Sequence, residues 1–136
     1  DLDNFVLLFN TWVAHGRNTG TLDARYFSNS LRSHKTSLGF YVTGETYRGN
    51  NGYSLKLKGV ESGINSNAYR RAIVIHGADY VSEDYIASQG FIGRSYGCPA
   101  VPSDICSDLI DDIKEGSCLF IYSPSPSYVK RSALLR

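Results

Sequence analysis

The sequence predicts a mostly β or α+β domain. Three observations indicate this class: short apolar runs rich in β-branched and aromatic residues, glycines between these runs, and one segment with a clear helical period. The chain has 136 residues, of which 42% are hydrophobic and 20% are charged, which is ordinary for one folded domain. We therefore expect residues 1–136 to form a single domain.

The first part of the chain is expected to contain strands separated by a loop. Residues 5–14 (FVLLFNTWVA) are rich in β-branched and aromatic residues and predict one or two strands. Residues 15–36 are polar and contain two glycines, which indicates a loop. Residues 38–43 (LGFYVT) predict a short strand.

A hairpin turn and two further strands are expected next. Residues 44–53 predict a turn, in which Asn51-Gly52 suits a tight hairpin. Residues 54–60 (SLKLKGV) alternate apolar and basic side chains, as in a half-buried strand. Residues 72–75 (AIVI) form a short continuous apolar run, typical of a strand that is buried on both faces.

The clearest helix is predicted over residues 103–115. Ser103 suits the N-cap position, and Gly116 is placed to end the helix. The apolar side chains of this segment fall on one stripe: Ile105, Leu109, Ile110 and Ile113. A strand over 118–122 follows at once, and the tail from Ser123, with two Ser-Pro steps, is expected to lie extended on the surface.

Charge and hydropathy exclude several classes of protein. The formal net charge is +1, and the pair Arg70-Arg71 is too short a basic run to indicate nucleic-acid binding. No apolar run approaches the roughly 20 residues of a membrane-spanning helix. The chain shows neither an initiator Met nor a signal peptide, so we expect it to be a piece trimmed from a longer precursor.

The three cysteines differ in their sequence surroundings. Cys106 lies in the predicted helix and Cys118 in the predicted strand, where two buried thiols and a mutual disulfide are both compatible with the pattern. Cys98 lies in a loop punctuated by Gly and Pro, where functional groups are often placed. Because the number of cysteines is odd, at least one thiol stays unpaired within the chain.

The most informative feature is a His and a Cys at the ends of two segments. His76-Gly77 directly follows the apolar run 72–75, and Cys98 comes 22 residues later (98 − 76), in Ser95-Tyr96-Gly97-Cys98. A His held by a core strand can act as the base toward a thiol, whose thiolate is the nucleophile. Since Gly97 has no side chain, the amide N–H groups of Gly97 and Cys98 are candidates for an oxyanion hole.

These segments resemble the murein L,D-transpeptidase catalytic domain-like family. The segments typical of that family are VAHG (13–16), SLGFYVTGETY (37–47), IHGADYVS (75–82) and GRSYGCPAV (93–101). The resemblance implies a mixed β-sandwich or barrel with one main helix after the Cys loop. It implies no metal or organic cofactor, and no pair of residues has the spacing of zinc ligands.

The resemblance also implies a two-step acyl transfer on peptidoglycan stem peptides. Cys98 would attack the carbonyl between the L-centre of meso-diaminopimelate and the terminal D-Ala of a tetrapeptide, and D-Ala would leave with a proton from His76. The backbone carbonyl of Gly77 would orient the imidazole. The thioester would then pass to the side-chain amine of a second stem and give a 3→3 cross-link.

Two alternatives to transpeptidation are kept. Transfer of the acyl group to water would make the protein an L,D-carboxypeptidase, and a non-catalytic peptidoglycan-binding domain is the alternative of a different class. The resemblance implies an extracytoplasmic location, in the periplasm or the cell wall. There, we expect Cys98 to stay reduced because it is the nucleophile.

Other residues near the Cys loop are candidates for support and substrate binding. Ser95 is expected to support the loop by hydrogen bonding. The better-known branch of the family has Arg or Asn two residues after the Cys, where this chain has Ala100; Arg94 is the nearest replacement and a candidate to bind a carboxylate, with a solvated Arg as the alternative. The other candidates to line a substrate cleft are Tyr96, Tyr41 and His15.

Overall fold

The computed structural model describes residues 1–136 and contains one mixed five-stranded sheet. Strands and helices follow in the order β1 (Gly39–Gly49), β2 (Gly52–Gly59), β3 (Val74–Ala78), α1 (Glu83–Gln89), β4 (Ala100–Pro102), α2 (Cys106–Ile113), β5 (Cys118–Ile121) and α3 (Pro126–Arg131). The strand order across the sheet is β4-β3-β2-β1-β5. None of the helices is long and apolar enough to cross a membrane.

The α+β class predicted from the sequence is confirmed. Strands β5, β1, β2 and β3 pair antiparallel with their neighbours, whereas β3 and β4 pair parallel. The sandwich or barrel arrangement implied by the resemblance stays a prediction, because the named strands form one sheet.

The β1–β2 hairpin is longer than the sequence suggests. Gly49 pairs with Gly52, so the two-residue turn is Asn50-Asn51, and Gly52 follows it with φ 76°. The prediction of a turn over 44–53 is therefore wrong for most of its length. The side chains of this part of β1 are largely exposed, and most of them are polar. A strand with few apolar residues cannot be predicted from apolar content.

The strand predicted over residues 5–14 is absent. Only two isolated bridges involve this part of the chain, Ala14 with Ala100 and Gly16 with Ser95. The apolar side chains before them are largely exposed: Phe5, Val6, Leu7, Leu8, Trp12 and Val13. Strand propensity was present in the sequence, but a strand also needs a neighbour for its backbone hydrogen bonds, and none lies alongside residues 5–13.

The main core lies between the sheet and α2. Helix α2 packs on β2 and β3, and its Cys106 and Ile110 are buried against strand residues such as Leu55 and Ile75. Burial of each large aliphatic side chain contributes about 1.5–3 kcal/mol. This packing fixes the part of β3 that leads to His76.

Helix α2 is shorter than predicted. It begins at Cys106, its N-cap residue is Ile105, and Ser103 instead donates a hydrogen bond to Asp79 Oδ1 at 3.3 Å. Beyond Ile113 the chain turns with a φ of 119° at Gly116, a conformation that glycine adopts readily. The expected stop at Gly116 is thus present, two residues after the C-cap.

Two further short helices correct the prediction of a single main helix. The Ser82 side chain caps α1 by accepting from Tyr85 N–H at 3.1 Å, and Gly90 ends that helix with φ 83°. Helix α3 replaces the extended tail predicted after Ser123. Both helices are shorter than two full periods of an apolar stripe, so periodicity carries little information about them.

A buried carboxylate holds α3 on the sheet. Glu61 is 5% exposed and accepts hydrogen bonds from Phe40 N–H at 2.8 Å, Tyr128 Oη at 3.0 Å and Ser132 Oγ at 2.5 Å. A buried charge is tolerated only when such donors surround it. We call Glu61, Tyr128 and Ser132 the tail clasp.

All three cysteines are free thiols. Cys106 is buried and packs beside Gly77 on β3, whereas Cys118 is exposed on the edge strand β5. Three strand spacings separate β3 from β5, about 14 Å at the usual spacing, and a disulfide needs Cα atoms within about 7 Å. The alternative of a Cys106–Cys118 bridge is therefore wrong, as is the expectation that Cys118 is buried.

Candidate catalytic site

His76 is the central residue of β3 (Val74–Ala78), which begins two residues later than the strand predicted over 72–75 and continues past His76-Gly77. It pairs with Ser54 of β2 on one side and with Ala100 of β4 on the other, and only 4% of it is exposed. Its Nδ1 lies 2.9 Å from the carbonyl oxygen of Gly77. Because a carbonyl only accepts, this contact requires a proton on Nδ1, and the neutral ring then carries its lone pair on Nε2.

Gly77 allows the start of α2 to approach β3 closely. A Cβ atom at this position would lie 3.1 Å from Ser103 Cα and 3.2 Å from Cys106 Cβ. Any side chain would therefore push α2 away or twist β3. Glycine here keeps in place the carbonyl that holds the His76 ring.

The Cys98 turn is closed by Ser95. The Ser95 hydroxyl donates to Cys98 O at 2.6 Å and accepts from Gly97 N–H at 3.1 Å. Ser95 is itself fixed through its backbone, which bonds with His15 O and Arg17 N–H. This geometry agrees with a supporting role for Ser95.

The predicted oxyanion hole needs a correction. Gly97 N–H is already used by the Ser95 hydroxyl, so it is not a free donor. The amide N–H of Cys98 donates no hydrogen bond in the structure, and the next residue, Pro99, has no N–H. A developing oxyanion at this turn can therefore find one backbone donor, at Cys98.

The Cys98 sulfur lies against the backbone at the start of β3. It accepts from Val74 N–H at 3.5 Å and donates to Ala72 O at 3.5 Å. Burial raises the pKa of the Cys98 thiol, while the Val74 N–H and the charge of Arg71 act in the opposite direction. No hydrogen bond joins this sulfur to His76, which lies two residues beyond Val74, about 6.6 Å along a strand.

An aromatic and cationic rim surrounds Tyr96. This residue is 66% exposed, its ring lies 4.5 Å from that of His34, and Arg17 Cζ lies 5.9 Å from its centroid. Neither His34 nor Arg17 stands in a motif that marks it as functional in the sequence. The only signal they carry is a polar loop, because contacts between residues so far apart in sequence leave no local pattern.

His15 lies next to the Cys98 turn. Its Nδ1 is 3.0 Å from Gly16 O, the same arrangement as in His76-Gly77, and a Cβ on Gly16 would lie 3.0 Å from Gly97 Cα. Burial lowers the pKa of His15 below its ordinary value. His15 Nε2 is buried and has no partner. A cleft role for His15 stays a prediction.

Two predicted substrate-binding residues are placed elsewhere. Tyr41 is 1% exposed in the core, and its hydroxyl donates to Ser37 O at 2.8 Å, so no substrate can reach it. The Arg94 guanidinium donates to three backbone carbonyl groups, those of Thr21, Ile92 and Gly93. Both terminal nitrogens of Arg94 thus hold the loop, and its Nε is buried without a partner, so the guanidinium is not free to bind a carboxylate as predicted.

An open groove of about 910 Å³ lies beyond the end of β3. Its wall includes the exposed Trp12 and the acidic side chains Asp79, Glu83, Asp84 and Asp104. Neither His76 nor Cys98 lines it. No group of three or more His, Cys, Asp or Glu side chains is placed to hold a metal ion.

Comparison with known proteins identifies the family. The L,D-transpeptidase catalytic domain family matches residues 1–122, which include every strand, helices α1 and α2, His76 and Cys98. No curated protein and no solved structure gives a significant match. The family match supports a peptidoglycan-related transpeptidase role. The chain therefore belongs to the L,D-transpeptidase catalytic domain family.

Proposed function

We propose that residues 1–136 form one catalytic domain, a cysteine L,D-transpeptidase that cross-links peptidoglycan stem peptides outside the cytoplasm. The observation that carries this proposal is the pairing of β3 with β4. His76 faces Ala100 in that ladder, which puts the Cys98 turn beside the strand that holds the imidazole. The nucleophile and the base are thus supported by the same hydrogen-bonded backbone.

The first step begins with proton transfer from Cys98 Sγ to His76 Nε2. Gly77 O holds the proton on Nδ1, so Nε2 is the atom that accepts. The sulfur lies on Val74 in the resting structure, and rotation about the Cα–Cβ bond of Cys98 would carry it toward the imidazole. Attack on the L-D peptide carbonyl forms a C–S bond and an oxyanion. The amide N–H of Cys98 donates a hydrogen bond to this oxyanion.

Collapse of this intermediate breaks the C–N bond to D-Ala. The imidazolium of His76 gives its proton to the leaving amine, and a thioester of Cys98 is left. The side-chain amine of a second stem then attacks the thioester, His76 takes the amine proton, and the C–S bond breaks with return of that proton to Cys98. Water in place of the amine gives the carboxypeptidase reaction.

Incubation with a disaccharide-tetrapeptide, followed by mass spectrometry, tests the proposal. A 3→3 dimer is the expected product, and tripeptide alone would assign hydrolysis instead. Cys98→Ala should form neither product, whereas Cys118→Ala, which removes an exposed thiol on the edge strand, should keep wild-type rates. If the wild type forms neither product while Cys98→Ala binds sacculi as well as the wild type, the protein is a binding domain.

A further inference from the structure

Arg71 organises the loop that lies beside the Cys98 turn. Its guanidinium is half-buried just before β3 and donates four hydrogen bonds, all to residues in the segment 28–37. The acceptors are Ser28 O at 2.8 Å, Ser37 Oγ at 2.6 Å, Ser33 Oγ at 3.1 Å and Lys35 O at 2.5 Å. This segment has no helix or strand, and Arg71 contacts four of its residues, more than any other single side chain that bonds to it.

The charge of Arg71 has no anionic partner in this arrangement. All four acceptors are neutral, and none of the salt bridges of the protein includes Arg71. The ionisable groups that act on it by charge are Tyr41 and Cys98. Burial raises the pKa of Tyr41 far above its ordinary value, so that phenol stays neutral. Cys98 is then the group whose ionisation can balance the guanidinium.

The Cys98 turn also lies close to this guanidinium. A Cβ atom on Gly97 would lie 3.1 Å from Arg71 Nη2 and 2.8 Å from Lys35 O. Gly97 has φ 117°, which side-chain-bearing residues rarely adopt. The residue next to the nucleophile therefore leaves no room for a side chain between the turn, Arg71 and the loop that Arg71 holds.

We infer that Arg71 is a positioning residue for Cys98, which holds the Gly97 turn on the 28–37 segment and stabilises the Cys98 thiolate by its positive charge. The inference rests on the proposed function, in which this thiolate is the nucleophile. Arg71 exchanges no proton in the reaction. The proton of Cys98 passes to His76, and Arg71 stabilises the charge left on sulfur.

Three titratable groups surround Cys98: Arg71 before β3, His76 on β3, and Tyr80 on the loop after it. Arg71 carries a positive charge throughout the neutral range, so its removal raises the pKa of Cys98 further. We expect Arg71→Gln to raise the midpoint pH of thiolate formation by about half a pH unit to one pH unit. Below the midpoint, the thiolate fraction should then be about three- to tenfold smaller.

The test is the pH profile of Cys98 alkylation by iodoacetamide, followed by peptide mass spectrometry so that Cys106 and Cys118 are read separately. The matched control is Arg70→Gln, which removes an equal charge from the exposed neighbouring position. We expect an upward shift for Arg71→Gln and a wild-type midpoint for Arg70→Gln. An unshifted midpoint in Arg71→Gln, or an equal shift in both variants, overturns the inference.

Arg71→Lys distinguishes the contribution of the charge from that of the hydrogen bonds. This variant also tests the inference if Arg71→Gln fails to fold. Lysine keeps the charge but cannot form the planar fork, so we expect a near-wild-type midpoint together with faster tryptic cleavage after Arg32 and Lys35. Wild-type resistance to trypsin would contradict the positioning role. Alkylation needs no peptidoglycan, so a shifted midpoint without turnover would refute the proposed function alone, and turnover without a shift would refute Arg71 alone.

Discussion

His76 and Ala100 form a residue pair in the parallel ladder between β3 and β4, and Cys98 lies two residues before Ala100. This pairing brings together two residues that are 22 positions apart (98 − 76). Backbone hydrogen bonds set their separation, and the Gly77 carbonyl sets the ring orientation. In the proposed reaction the imidazole is thus oriented before substrate binds, and the Cys98 sulfur, which rests on Val74 N–H, has to move toward it.

Loss of the base should remove most of the transfer activity. We expect His76→Gln to lower the rate of tetrapeptide turnover about 10²- to 10⁴-fold, because general acid–base catalysis contributes about that much. Glutamine keeps a polar side chain on β3 and has no titratable nitrogen. The control is His34→Gln, which alters a His at the rim of the Cys98 turn. Turnover by His76→Gln within threefold of wild type would exclude His76 as the base.

The turn before Cys98 should tolerate no side chain. In Gly97→Ala the new Cβ would meet Lys35 O at 2.8 Å and would sit on a backbone with φ 117°. We expect a loss of about 1–3 kcal/mol in the free energy of unfolding together with slower acylation. Urea denaturation and a turnover assay measure the two effects.

Gly90→Ala is the matched control for that variant. Gly90 also has positive φ, at 83°, but nothing lies within 4 Å of a Cβ there. We expect strain at this position without a clash, and unchanged acylation. If Gly97→Ala and Gly90→Ala proved equally stable and equally active, close packing of the Cys98 turn would not matter for function.

We expect the tail clasp to contribute to the free energy of unfolding and to have no effect on peptide turnover. Ser132→Ala removes the hydroxyl that donates to the buried Glu61 carboxylate, and hydrogen bonds to charged groups contribute about 1.5–3 kcal/mol. We expect a loss of that size in urea denaturation. Ser125→Ala is the control, because the Ser125 hydroxyl contacts only the exposed Ser127 hydroxyl. Equal stability of the two variants would contradict the role given to the clasp.

The thiol of Cys98 should make stability depend on pH. Burial raises the pKa of Cys98 in the folded protein above its unfolded value of about 8.5. The folded state therefore holds its proton more tightly, so this contribution is complete below the unfolded pKa and is lost as the pH rises through the folded pKa. We expect the free energy of unfolding of the wild type to fall more steeply above about pH 8.5 than that of Cys98→Ser.

Cys106, whose pKa is also raised by burial, is present in both proteins and cancels in that comparison. Identical slopes for the wild type and Cys98→Ser would show that the Cys98 thiol is not protonated preferentially in the folded state.

Local patterns predicted those parts of the fold that depend on neighbouring residues. The apolar run before His76 predicted β3, and Asn51-Gly52 indicated the hairpin. Residues 5–14 had the composition of a strand but no strand beside them, and composition carries no information about a partner. Helix α3 depends on contacts of Tyr128 and Ser132 with Glu61, 67 and 71 positions away, which leave no local signal.

The candidate site also contains some residues that local patterns predict and others that only the fold brings together. His76 and Cys98 could be proposed from the sequence because each stands in a motif of a few consecutive residues, His76-Gly77 and Ser95-Tyr96-Gly97-Cys98. The burial of Tyr41 and the contact of Arg94 with Thr21 O could not be predicted, since the packing of distant segments sets both. Arg71 looks the same as Arg70 in the sequence, and only the fold separates the half-buried arginine from the exposed one.

The most direct measurement of the central claim is peptide mapping of the protein after reaction with a carbapenem, whose strained carbonyl acylates an active thiolate. We expect one covalent adduct, on the peptide that contains Cys98, and none in Cys98→Ala. An adduct on Cys106 or Cys118, or an adduct of undiminished yield in Cys98→Ala, would contradict the assignment of Cys98 as the nucleophile.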